Sequence, residues 1–130
     1  MKNSLYILCL SLIVIGCKKN GVQPKGYLGT WELKQETGTI AGTTKTYPSG
    51  EGHLLLLNTD STYQRFSDFQ HSVKGTFKIV KNRVTWAGKT YDAIYFDNKT
   101  PADYIILNGY ELTIGNTFPD GVTSVYERRN

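Results

Sequence analysis

Sulfur is nearly missing from this chain. Its 130 residues hold one methionine, at position 1, and two cysteines, Cys9 and Cys17. Residues 18 to 130 therefore have no disulfide, no cysteine nucleophile and no thiolate metal site. Histidine is scarce as well, with only His53 and His71. A zinc site wants three or four ligands, and two imidazoles in separate segments do not supply them. A surplus of one charge is also lacking where it would count. Of the 15 basic residues, Lys2, Lys18, Lys19 and Lys25 precede residue 26, which leaves 11 basic against the 11 acidic residues of the remainder. The pI near 9.0 thus reflects the N-terminus. No segment of residues 26 to 130 reads as a basic face, which argues against a nucleic-acid partner. The same stretch nowhere keeps a 3.6-residue apolar period over three turns.

Tyrosine, threonine, glycine and β-branched residues are plentiful instead. Eight of the nine tyrosines, both tryptophans and all five phenylalanines lie after residue 25. This composition favours strands. About a hundred residues suffice for one domain with one core.

The N-terminus has its own grammar. Lys2 supplies a positive start, and Leu5 to Ile15 is apolar except for Ser11. As a helix this stretch spans roughly 16 Å at about 1.5 Å per residue, too short to remain across a bilayer that needs about 20 apolar residues. It has the length of a secretory leader. Leu12-Ile13-Val14-Ile15-Gly16-Cys17 resembles the lipobox of a bacterial lipoprotein. The resemblance implies a signal peptide over residues 1 to 16, lipidation of Cys17, and a flexible tether over residues 17 to 26 that includes Asn20, Gly21, Gln23 and Pro24. Two or more acyl chains give stable membrane attachment. Lys18 in place of aspartate after the cysteine points to the outer membrane. The absence of an acidic run points to its periplasmic side.

Short runs with a two-residue period fill residues 27 to 130 and are split by turn residues every 8 to 12 positions, as in sandwiches and barrels. Trp31 and Leu33 alternate with Glu32 and Lys34. Leu54 to Leu57 is followed by the turn Asn58-Thr59-Asp60-Ser61, and Thr62 to Phe69 by Val73 to Ile79. Lys81-Asn82 reads as a turn into Arg83 to Ala87, and Gly88-Lys89 as a turn into Thr90 to Phe96. Asn108-Gly109 separates Tyr104 to Leu107 from Tyr110 to Ile114 as a hairpin. Val122 to Arg128 is the last strand. Thr37 to Gly52 is irregular, with a short strand at Thr43 to Tyr47. Tight turns between eight or nine strands give an all-β, antiparallel up-and-down meander, whose edges are best removed by closure into a barrel.

Four stretches resemble one family. Leu28-Gly29-Thr30-Trp31-Glu32-Leu33 resembles the Gly-X-Trp motif that opens lipocalins and related calycin barrels. Asn58-Thr59-Asp60-Ser61-Thr62-Tyr63 is similar to the acidic turn and Thr-Tyr of bacterial lipocalin-like domains. Val73-Lys74-Gly75-Thr76-Phe77-Lys78-Ile79 is similar to their Gly-X-aromatic strand, and Tyr126-Glu127-Arg128 to their closing strand. The resemblance implies that Arg128 packs over Trp31 and closes one barrel end, a structural role away from any ligand. The chain is shorter than vertebrate lipocalins and shows no C-terminal helix.

Chemistry-bearing patterns are sparse. Glu51 with His53, and Asp68 with His71, are the two carboxylate–imidazole pairs, and both read as solvated groups. Asp92 and Asp97 have no reason to share a proton. No nucleophile elbow, phosphate loop or dinucleotide fingerprint occurs, and neither catalysis nor a cofactor is expected. Tyr91, Ala93 and Tyr95 share one strand face, with Ile94 and Phe96 on the other. Tyr63, Arg65 and Ser67 form a further row. Turned inward, Tyr63, Arg65, Tyr91 and Tyr95 would line a pocket for a ligand with an apolar body and an acidic head. The alternative is that aromatics fill a barrel of this size, leaving a monomeric envelope module that recognises a protein or glycan through its surface.

Overall fold

The computed structural model describes residues 26–38 and 41–130. The leader, Cys17 and the tether up to residue 25 lie outside them. Nine strands follow in order: β1 Gly29–Thr37, β2 Thr44–Thr46, β3 Leu54–Leu57, β4 Thr62–Phe66, β5 Ser72–Trp86, β6 Lys89–Phe96, β7 Asp103–Asn108, β8 Glu111–Gly115 and β9 Thr123–Arg128. Each pairs antiparallel with its neighbour, and β9 returns to β1, so β1 and β3 to β9 close an eight-stranded up-and-down barrel, with β2 added beside the end of β1. The all-β barrel expected from turn spacing is the fold observed. Among the described residues, β1 and β3 to β9 enclose one core.

Alternation sorts each strand into a lumen face and an outer face. Trp31 and Leu33 of β1, Leu55 and Leu57 of β3, Tyr63 of β4, Phe77 of β5, Ile94 of β6, Ile105 of β7, Leu112 and Ile114 of β8 and Tyr126 of β9 form the buried cluster. A register shift between Leu33 and Gln35 changes the parity of β1, so Glu36, opposite Ser124, points inward after Leu33.

Three turns differ from the sequence reading, those expected at Asn108-Gly109, Lys81-Asn82 and Gly88-Lys89. The pair Asn108↔Glu111 makes Gly109 and Tyr110 the central turn residues, with Gly109 at φ 62. The hairpin is thus shifted by one position, because a single positive φ at glycine satisfies a turn with glycine first. Lys81-Asn82 is not a turn. It lies in a bulge of the 15-residue β5, where the register slips between Val80 and Val84 and the Asn82 N–H donates to Asp92 Oδ1 at 3.0 Å. The chain reverses at Ala87 and Gly88, at φ 47 and 75.

Candidate functional site

One end of the barrel is filled. Trp31 is fully buried, and its Nε1–H donates to the Tyr27 carbonyl at 2.9 Å. The Arg128 guanidinium lies 4.1 Å from the Trp31 ring and donates to the carbonyls of Leu28 and Gly26 at 2.8 and 2.7 Å. Arg128 Nε is buried with no hydrogen-bond partner, and the indole face compensates its charge. Gly29, at φ 133, has no side chain because a Cβ there would meet Arg128 Nη1. The glycine, tryptophan and arginine of the terminal motifs are therefore one packed unit, in the arrangement expected for Trp31 and Arg128.

The opposite end is open. A cavity of about 820 Å³ is lined by Leu33, Glu36, Leu54, Arg65, Val73, Asp103, Ile114, Ser124 and Tyr126, with Lys45, Tyr47, His53 and His71 among the residues nearer its rim. These belong to the ends of β1, β4 and β8 and the starts of β3, β5, β7 and β9, which the up-and-down order brings to one end. Among the expected ligand residues, Arg65 lines this cavity. Tyr63 does not line it: it is buried in the core, where its hydroxyl donates to Asp97 Oδ2 at 2.8 Å and its ring meets Phe96 edge-on at 4.8 Å. Tyr91 and Tyr95 are not brought to the cavity. Both are on the outer face of β6, in register with Val84 and Lys78. Tyr91 stacks on Tyr104, and Tyr95 borders a separate depression of about 440 Å³ beside Lys78, Val80 and Arg83.

Arg65 is held by stacking. Its guanidinium sits 5.0 Å from the Phe96 ring and 5.9 Å from that of Tyr63. It sits on the lumen face in register with the fully buried Leu55, is exposed at the open end, and makes no hydrogen bond or ion pair with any described residue, which leaves its forked donors available. Asp103, in register with Ile94 on the lumen face, has its pKa raised by burial, with Arg65 pulling the other way. Glu36 accepts from Tyr47 Oη and from Ser124 Oγ at 3.4 Å. The Tyr47 phenol is pushed up to about 12 by burial and by this carboxylate. Tyr47 also meets His53 edge-on at 4.7 Å and carries Lys45 over its ring at 4.6 Å. Residues 44 to 53, with β2 paired to the end of β1, thus form one wall of the mouth.

The two carboxylate–imidazole pairs stand at this rim. His53 Nε2 is 3.9 Å from Glu51 Oε2, beyond hydrogen-bond reach. Asp68 accepts from the His71 and Gln70 backbone N–H groups and contacts His71 Nδ1 at 2.8 Å, which depresses its carboxyl to about 2. Among the described residues no group of three or more histidines, cysteines and carboxylates could hold a metal.

Sequence reading missed Glu36, Asp103, Ser124 and Tyr126. Asp103 had a signal, for it stands in two-residue phase with Ile105 and Leu107, but Glu36 had none, because the β1 register shift alone turns it inward. No protein-family profile, curated protein or solved structure is significantly similar to this chain.

Proposed function

We propose that this is a lipid-anchored, lipocalin-like binding protein that takes a small amphipathic molecule with an anionic head into the open end of its barrel. The observation that carries the reading is Arg65: a stacked, unpaired guanidinium in the wall of an 820 Å³ cavity. Leu33, Leu54, Val73 and Ile114 offer apolar contact, while Arg65 offers forked donors suited to a carboxylate or phosphate. Ligand pockets of about 300 to 1,000 Å³ combine an apolar wall with few polar groups in this way. The reading involves no catalysis and no resident cofactor. Native mass spectrometry of residues 26 to 130 purified without detergent tests it. A mass excess released by organic extraction identifies the ligand class. A clean mass, with no uptake of a fatty acid, removes the reading.

Attachment is proposed at Cys17, to the periplasmic face of the outer membrane. The support is the lipobox pattern, with Gly26, the first described residue, held by Arg128 at the filled end. Cys17→Ser is expected to release the protein from membranes on carbonate washing; retention sinks the anchor.

A second reading, recognition of a protein or glycan by the mouth loops, draws on Phe69 and Phe118, which are 57% and 54% exposed. It gains ground if the native mass is clean.

A further inference from the structure

Beyond the bulge, β5 and β6 leave the barrel wall. β4 covers β5 only over Ser72 to Thr76, and β7 covers β6 only over Asp92 to Ile94. Between them, Val84↔Tyr91, Thr85↔Thr90 and Trp86↔Lys89 form a two-stranded arm with no third strand. Nearly every residue from 81 to 90 is exposed, Trp86 among them. A lone hairpin is marginal in water, and a tryptophan at its tip adds exposed apolar surface. The arm also concentrates charge that the whole-domain balance conceals. Lys81, Arg83 and Lys89 have no ion pair with any described residue. The only carboxylate in the arm's vicinity on these strands, Asp92, is engaged at its base by the Tyr27 hydroxyl at 2.7 Å and the Asn82 N–H at 3.0 Å.

We propose that the β5–β6 arm is a membrane-surface foot, seating Trp86 among the headgroups of an anionic bilayer with Lys81, Arg83 and Lys89 against their phosphates. Tryptophan beside lysine and arginine is the composition that the bilayer interface accepts. Its location supports the same occupant. The chain enters the barrel at the filled end, and Tyr27 is hydrogen-bonded to the arm's base. Nine peptide steps separate Gly26 from Cys17, which reach at most roughly 30 Å. The bilayer is therefore within range of the arm. Of the other turns of this end, residues 58–61 carry Asp60 and the β7–β8 turn is flanked by Glu111, so among these turns the arm is the cationic one. Docked in this way, the barrel holds its mouth toward the aqueous phase, away from the membrane.

The proposal rests on the lipid-anchor reading, and its test is independent of it. Residues 26 to 130, which carry no lipid, are sedimented with vesicles of phosphatidylcholine, with and without phosphatidylglycerol, while tryptophan emission is recorded. Trp31 is fully buried, so a shift in emission reports on Trp86. The expected result is salt-sensitive binding to the anionic vesicles with a blue shift that Trp86→Ser abolishes. Replacing Lys81, Arg83 and Lys89 together by glutamine should weaken partitioning on the order of a hundredfold, from about fivefold for each cation at an anionic surface. Circular dichroism melts of both variants should overlay the parent. No binding to anionic vesicles, equal binding to neutral ones, or binding unchanged in the triple variant overturns the foot. None of these outcomes bears on carbonate extraction of the Cys17→Ser chain.

Discussion

Trp31 is the largest side chain in the fully buried set, and it supports the filled end from three directions: Leu55 across the strand pair, the Tyr27 carbonyl, and Arg128 on its face. Its truncation leaves a void and removes the ring on which the Arg128 guanidinium, with its unpartnered buried Nε, is stacked. Trp31→Ala is expected to destabilise the domain by about 3 to 5 kcal/mol; a denaturation midpoint equal to the parent's would refute it. At the other end, Arg65 and Asp103 face one lumen with opposite charge. Arg65→Gln should weaken binding of a fatty acid by roughly tenfold or more, the worth of a charge-assisted hydrogen bond. Asp103→Asn, which removes a repulsive carboxylate, should strengthen it severalfold. Isothermal titration of both variants checks the pair, and equal effects in the same direction would contradict the assigned polarity. Gly75, two residues before Phe77 of β5, has no room for a side chain. A Cβ there would strike the Asp97 carboxylate and lie 2.7 Å from Tyr63, and that carboxylate binds both Thr76 N–H and Tyr63 Oη.

At the scale of elements, the barrel strands are supported on both sides except in the β5–β6 arm, and the short β2 pairs with β1 alone. Local opening costs least where hydrogen-bond partners are few and contacts sparse. In hydrogen exchange, the paired amides between Val84 and Tyr91 should lose protection well before those between Phe77 and Val80, and before any in β3 or β8. Uniform protection along β5 would refute the division. The arm was hidden in the sequence because Lys81-Asn82 carries ordinary turn residues. Asn82 does take a positive φ, 50°, yet it serves a bulge, because the Asp92 carboxylate captures its N–H from the partner strand. Turn chemistry specifies a local backbone state; what lies across the strand decides whether the chain reverses there.

The whole molecule couples its charge state to its closure through two tyrosines. Tyr27 donates to Asp92 at the filled end and Tyr47 to Glu36 at the mouth, and burial with these carboxylates pushes both phenols up to about 12. Because the folded state holds these protons more tightly than the unfolded chain, their contribution is complete below pH 10 and is lost as pH rises from 10 toward 12. Denaturant midpoints should fall over that window, and by less in a Tyr27→Phe, Tyr47→Phe double variant. A flat midpoint between pH 10 and 12 would contradict the two hydrogen bonds.

The sequence by itself determined the all-β meander, the positions of most strands, and the Trp31–Arg128 end. Two-residue alternation, turn residues and terminal motifs are local, and local patterns survive without knowledge of the fold. It also grouped Tyr91 with Tyr95 and both apart from Ile94 and Phe96. Which group faces inward was decided only by closure, since apolar side chains occupy both faces of β6 and periodicity names a face without naming its side. The cavity at one end, the inward turn of Glu36 and the projecting arm likewise belong to the tertiary structure. Each depends on register between strands distant in the chain, set by a β1 register shift, a β5 bulge and the pairing of β9 with β1.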